Sequence, residues 1–272
     1  MNKSKCLPLL LCSVFSAVLS VSKTIADLLW FDGGAYKNGK VFVNLLTVLL
    51  PISIAVCIFF IFKTLSKRNA QIGFISDFPS VFSFFCTGFF NLFTAAFIFY
   101  SVIQNKVFFE GSMLIFDLLL AVASIGTAAL CFIKALGKET DFRKNHFYCA
   151  IYLFPTAWAM IRLFVTFIAS SSKALSLNQK LGILSLIVLT VYFLYEVRIY
   201  HSQISLRLYA VICSALIIIV PFSALSSSII SLVGGASLGE PILRLNELSI
   251  CAFAASNLLN ALKNKEGIEN EN

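Results

Sequence analysis

The sequence predicts an all-α fold, a polytopic integral membrane bundle of about eight transmembrane helices. Three observations predict it. Of 272 residues, 59% are hydrophobic and only 12% are charged, against about 25% charged in a soluble domain. The mean hydropathy is +0.90. The apolar residues also come in unbroken runs close to the roughly 20 residues that cross a bilayer. Hydrocarbon, not water, is the solvent such a surface requires.

The first run, residues 6–22, follows a basic start with Lys3 and Lys5. That is the layout of a secretory signal. No A-x-A site follows it, however, and Cys12 is preceded by leucine, not by the small residue of a lipoprotein signal. A retained first helix over about 6–29 is therefore expected, with seven spans if the segment is cleaved. Residues 41–62 and 80–103 carry no charge, 113–133 contains only Asp117, and 147–169 contains only Arg162. Residues 181–200 are uncharged until Glu196 and Arg198, and 208–238 are uncharged throughout. Pro241 suits the first turn of a last helix, over 241–263, whose opening turns hold Arg244, Asn246 and Glu247. This last segment reads either as a span or as an interfacial helix. The expected spans are 6–29, 41–62, 80–103, 113–134, 147–169, 181–200, 208–232 and 241–263, in a single transmembrane domain over 1–272.

The net charge of +8 sits in short segments between apolar runs, which is the positive-inside pattern and not a nucleic-acid surface. With the N-terminus inside, thirteen Lys and Arg fall in cytoplasmic segments and six in outer ones. The densest loop, GKETDFRKNHF, falls inside. Both termini are thus expected in the cytoplasm of a cell with a cytoplasmic membrane, and the lipid bilayer is the first partner.

Two helices show sided patterns. Phe78, Phe82, Phe85, Phe89, Phe93 and Phe97 recur at three or four residues, with Ser83, Thr87, Asn91, Thr94 and Ser101 about half a turn away. The phenylalanines suit lipid, and the small polar residues suit helix packing; a solute pathway centred on Asn91 is the alternative. In the last helix Asn246, Ser249, Asn257, Asn260 and Asn264 share a face that Phe253 interrupts. Amides in hydrocarbon need partners. Pro51, Pro155 and Pro221 lie inside spans and are candidate kinks.

Ionisable residues within spans point most directly to function. Lys23, Asp27, Asp117, Arg162 and Glu247 all fall in the outer half, as a binding pocket or as an ion-pair network. Arg162 is the deepest, and Asp117 or Asp27 is the expected acid beside it. Glu196 and Arg198 sit near the inner boundary and are expected to snorkel. The candidate binding residues are Arg162, Asp117, Asp27, Asn91, Glu247 and Asn257.

No catalytic residue and no metal site is assigned. The eight cysteines form no CxxC pair and read as small buried hydrophobes, while His146 and His201 stand alone. GxSG, HExxH and a membrane histidine are all absent, so common intramembrane hydrolases lack their residues. Carboxylate chemistry with Asp27 and Asp117 is the residual enzymatic option. No cofactor is implied.

The stretch FPTAWAMIRLFVTF (residues 154–167), followed by VYFLYEVRIY (191–200), resembles a group of uncharacterised bacterial multi-span membrane proteins. They have a similar proline–tryptophan–arginine helix and then an aromatic-rich helix ending in arginine. The resemblance spans about residues 154–200 and implies bacterial origin and a shared fold, with no activity attached. The leading functional expectation is binding or transport of a small solute through a polar outer-half cavity. A sensory or accessory subunit acting through a partner protein is the alternative, and an intramembrane enzyme the third.

The charge bias generates a topology test. Impermeant labelling of single-cysteine variants should reach Lys37 and Lys173 positions from outside, and Lys67 and Lys138 positions only after the membrane is opened. Labelling of the Lys138 position from outside contradicts the scheme.

Overall fold

The computed structural model describes residues 3–32, 35–36, 39–65, 78–104, 114–136, 150–171, 176–201, 205–233 and 239–269. The four topology markers, Lys37, Lys67, Lys138 and Lys173, lie outside them, as do Cys149 and His146.

Among the described residues eight helices run in chain order: α1 (Lys3–Trp30), α2 (Lys40–Thr64), α3 (Phe78–Ile103), α4 (Leu114–Ala135), α5 (Leu153–Ser171), α6 (Leu177–His201), α7 (Leu206–Val233) and α8 (Gly239–Glu269). Seven of them are long and apolar enough to cross a membrane, so the chain is a multi-pass integral membrane protein. The other is α5, whose apolar part, Leu153–Ala169, is shorter. Expected and observed spans coincide within a few residues except at the start of α5. There Pro155 stands in the first turn, where its missing N–H breaks no helical bond. It opens this helix and does not kink it. Pro51 and Pro221 do lie inside α2 and α7.

A two-residue strand pair, Phe31–Asp32 with Ala35–Tyr36, turns the chain between α1 and α2. Gly39 then caps α2 at φ +71°. A side chain there would be strained, and its Cβ would meet the Trp30 ring.

Successive helices alternate in direction. Ser80, Ser83, Thr87 and Asn91 of α3 meet Asn260, Ser256, Ser249 and Asn246 of α8, so these two run antiparallel. Backbone packing joins α3, α4, α5, α6, α7 and α8 in that order and closes from α8 back to α3. The result is a ring of six helices. α1 and α2 pack outside it, both against α7. We call the end where α1 finishes and α8 begins the near end, and the opposite end the far end.

The last helix is no interfacial helix. It packs along α3 and α7 and touches α1, and it carries the ring's polar side chains. The phenylalanine face of α3 turns outward, with Phe78, Phe82 and Phe89 largely exposed to the surroundings and Ser83, Thr87, Asn91 and Thr94 buried. Phe97 is the exception, packed against the core. Asn91 donates to the Thr87 carbonyl and accepts from Asn246 at 3.0 Å. Its role is therefore to pair two helices. Cys12, Cys57, Cys131, Cys213 and Cys251 are buried free thiols.

Close packing at Gly126 supplies a stability test. An added Cβ would lie 2.1 Å from Phe154 Cγ, and such overpacking costs about 1–3 kcal/mol. Gly126→Ala should lower the unfolding midpoint in micelles, and Phe154→Ala should relieve the loss by coupling. Strict additivity of the two changes would place α4 and α5 further apart than described.

Candidate functional site

A charge in hydrocarbon must be paired or reach water. Among the described residues, the buried ionisable acids and bases are equal in number: Lys23, Lys134, Arg162 and Arg244 against Asp27, Asp117, Glu196 and Glu247. They fall into clusters at the two ends of the bundle.

The near-end cluster is built on the first turns of α8. Glu240, Arg244 and Glu247 follow one another at four and three residues, the spacing that stacks side chains on one helix face. Arg244 joins both acids, Nε to Glu240 Oε1 at 2.9 Å and Nη1 to Glu247 Oε2 at 2.9 Å. Arg162 reaches across the ring from α5. Its Nη2 donates to Glu240 Oε2 at 2.7 Å, and its Nε lies 3.9 Å from Glu247 Oε1. Each acid thus stands between two guanidiniums. The Glu240 side chain is 30% exposed and Glu247 is fully buried, so the network meets its surroundings through Glu240. Gly182 of α6 makes room for it, since a Cβ there would lie 2.9 Å from Arg244 Nη2.

Lys23 and Asp27 form a separate pair at 2.5 Å on α1. Lys23 also donates to Ser226 of α7 at 2.7 Å and lies over the Phe222 ring. This clasp holds α1 against the outside of the ring.

The far-end cluster centres on Glu196 of α6. Its Oε1 accepts from Tyr192 at 2.7 Å, from Asn257 at 3.0 Å and from Tyr209. Its Oε2 makes no hydrogen bond among the described residues and lies 3.5 Å from the Lys134 ammonium of α4. That ammonium stands over the rings of Phe253, Tyr152 and Phe84, at 4.7, 5.3 and 6.0 Å from their centroids.

Between the clusters Ile250 and Ala254 of α8 and Trp158 of α5 are fully buried, and Thr156 of α5 and Ser185 and Thr190 of α6 are buried as well; the Trp158 indole N–H has no hydrogen-bond partner among the described residues. Ten residues separate Tyr152 from Arg162, which sets the clusters about 15 Å apart along α5.

The structure unites Arg162 with Glu247, as two of the candidate residues, and adds Glu240 and Arg244. Arg162 meets two acids of α8, Glu240 and Glu247, which the expectation of Asp117 or Asp27 did not include. Asp27 is held by Lys23 on α1. Asp117 is buried in the first turn of α4, at the same end as Arg162, where the Phe116 ring packs at a tilt against Phe164 of α5, 5.5 Å between centroids. Asn257 belongs to the far-end cluster, and Asn91 to the α3–α8 seam. Glu196 does not snorkel; it is buried and takes four polar neighbours. Lys134 and Arg244, which the thirteen-to-six count includes as one cytoplasmic and one outer charge, lie inside the bundle. Removing one from each side leaves the charge bias in place.

Sequence reasoning missed Glu240, Lys134, Tyr192 and Tyr209. The Glu240–Arg244–Glu247 spacing was the available signal for the first, hidden by a boundary drawn at Pro241. Tyrosines inside apolar runs carry no such signal. No family model matches this chain, and neither do the curated proteins or the solved structures.

The cluster geometry yields a coupling test by double-mutant cycle. Arg162→Met and Glu247→Gln should interact by about 0.5–3 kcal/mol in reversible unfolding, while Arg162→Met and Asp27→Asn should add within about 0.5 kcal/mol. Coupling to Asp27 in place of Glu247 would reverse the assignment.

Proposed function

We propose that this protein binds a small polar solute inside the six-helix ring and passes it across the membrane. The observation that carries the reading is the pair of buried ionic clusters at opposite ends of one interior, with α8 contributing to both. Helix association alone has a cheaper solution, used between α3 and α8, where neutral Ser, Thr and Asn side chains hydrogen-bond across the seam. Charges cost about 2.5–3.5 kcal/mol each at the centre of a helix by insertion scales. Their concentration on the interior, and not on the lipid face, supports a role in admitting a polar solute. In this reading the clusters are two gates, each neutral when shut, and the Ile250–Ala254–Trp158 layer between them is a plug. The outer-half cavity expected from sequence becomes the region behind the near-end gate, reached past Glu240.

The charge bias supports placing both termini in the cytoplasm, with the near end outward and the far end inward. The resemblance of residues 154–200 supports a bacterial cytoplasmic membrane.

Substituted-cysteine accessibility tests the reading. In a background with the native cysteines changed to alanine, Ala254→Cys in native membranes should react with a small water-soluble methanethiosulfonate. Met160→Cys, exposed to lipid on α5, should not. An Ala254→Cys variant that folds and stays unlabelled over hours would mean that water never enters the ring, and the solute reading would fail.

A further inference from the structure

We propose that the far end of the ring is a binding site for a small organic cation, and that Lys134 is its tethered occupant. The proposal rests on the solute reading above and names the solute's class. An ion pair serving only to hold α4 to α6 would close to about 2.7–2.9 Å between nitrogen and oxygen. It would need no aromatic surroundings. Here the Lys134 Nζ stays 3.5 Å from Glu196 Oε2 and stands over three ring faces brought by α3, by the residue preceding α5, and by α8. Several aromatic faces around one carboxylate are how proteins recognise diffuse alkylated cations.

The carboxylate is fixed in advance of any ligand. Three donors hold Glu196 Oε1, and the buried Oε2, with no hydrogen bond among the described residues, faces the Lys134 ammonium at 3.5 Å. Phe253 also finds its reason here. It breaks the polar face of α8 between Ser249 and Asn257, and its ring packs on Phe84 at 5.2 Å to form one wall of the cage.

Lys134 can leave. It sits in the last turn of α4, which ends at Ala135, so its four-methylene stem can swing the ammonium to the bundle's end. Exchange of one cation for another keeps Glu196 paired throughout. That matters, because an uncompensated buried carboxylate is far costlier than either paired state.

The test uses the full-length protein in lipid nanodiscs, with tetramethylammonium chloride as probe and sodium chloride at equal ionic strength as control. Acylation of Lys134 by a water-soluble succinimidyl ester, read by peptide mass spectrometry, should rise at least about threefold with the probe, and the unfolding midpoint should rise with it. Lys134→Met should bind the probe about tenfold more tightly, having no competitor. Phe253→Leu, which keeps the ion pair, should weaken both responses about fivefold by removing one face. No probe effect on Lys134 acylation or on the midpoint would overturn the proposal, as would an undiminished response in Phe253→Leu. If Ala254→Cys is labelled from water while the probe does nothing at Lys134, the cation site falls and the solute reading stands. Displacement of Lys134 with Ala254→Cys unlabelled would retain the cation site and reject passage through the ring.

Discussion

A guanidinium stays protonated wherever a protein puts it, and hydrocarbon offers it nothing to bind. Arg162 therefore constrains the bundle more than any other residue. It sits near the middle of α5, the shortest of the eight helices, and its acids come from the opposite side of the ring. Glu240 and Glu247 can reach it only if α8 starts at the same end at which α5 finishes. They must also share one face, and Arg244 must lie between them to keep two carboxylates from facing one cation. The direction of α8, its burial between α3 and α7, and the glycine at position 182 all serve that geometry. A helix on the membrane surface could not supply it.

The same helix carries the opposite cluster. Asn257 and Phe253 take part in holding Glu196 and Lys134, some two to three turns beyond Glu247. Small polar residues along another face of α8 lock it to α3. One helix thus serves as the axis of the ring's chemistry, while its mean composition is the least apolar of the seven clear spans. Cost and purpose coincide here: polar atoms appear where a partner meets them, and phenylalanine covers the faces that meet lipid.

Much of the fold was legible in sequence. Runs without charge have a single physical meaning at this length, so the spans of α2, α3, α4, α6 and α7 fell where expected. The phenylalanine periodicity of α3 oriented that helix correctly, and the amide stripe of α8 required protein partners, which α3 and Glu196 provide. Partner identity was the illegible part. Counting residues from a helix end gives depth, and depth grouped Arg162 with the right leaflet. It says nothing about azimuth, and Asp27 is held by Lys23 on its own helix. Counting also misjudged Glu196 and Lys134. Both lie near helix ends, where a side chain alone would reach water, but Tyr209, Phe253 and Tyr152 close over them from other segments.

The central claim is that α8 lies within the bundle and binds Arg162 through Glu240 and Glu247. A density map of the protein in a lipid nanodisc, at a resolution that shows side chains, tests it most directly. Continuous density from the Arg162 guanidinium to both α8 carboxylates, with Arg244 between them, is the result predicted. Density joining Arg162 to Asp117 or Asp27, with Glu247 turned away to lipid or water, would contradict it.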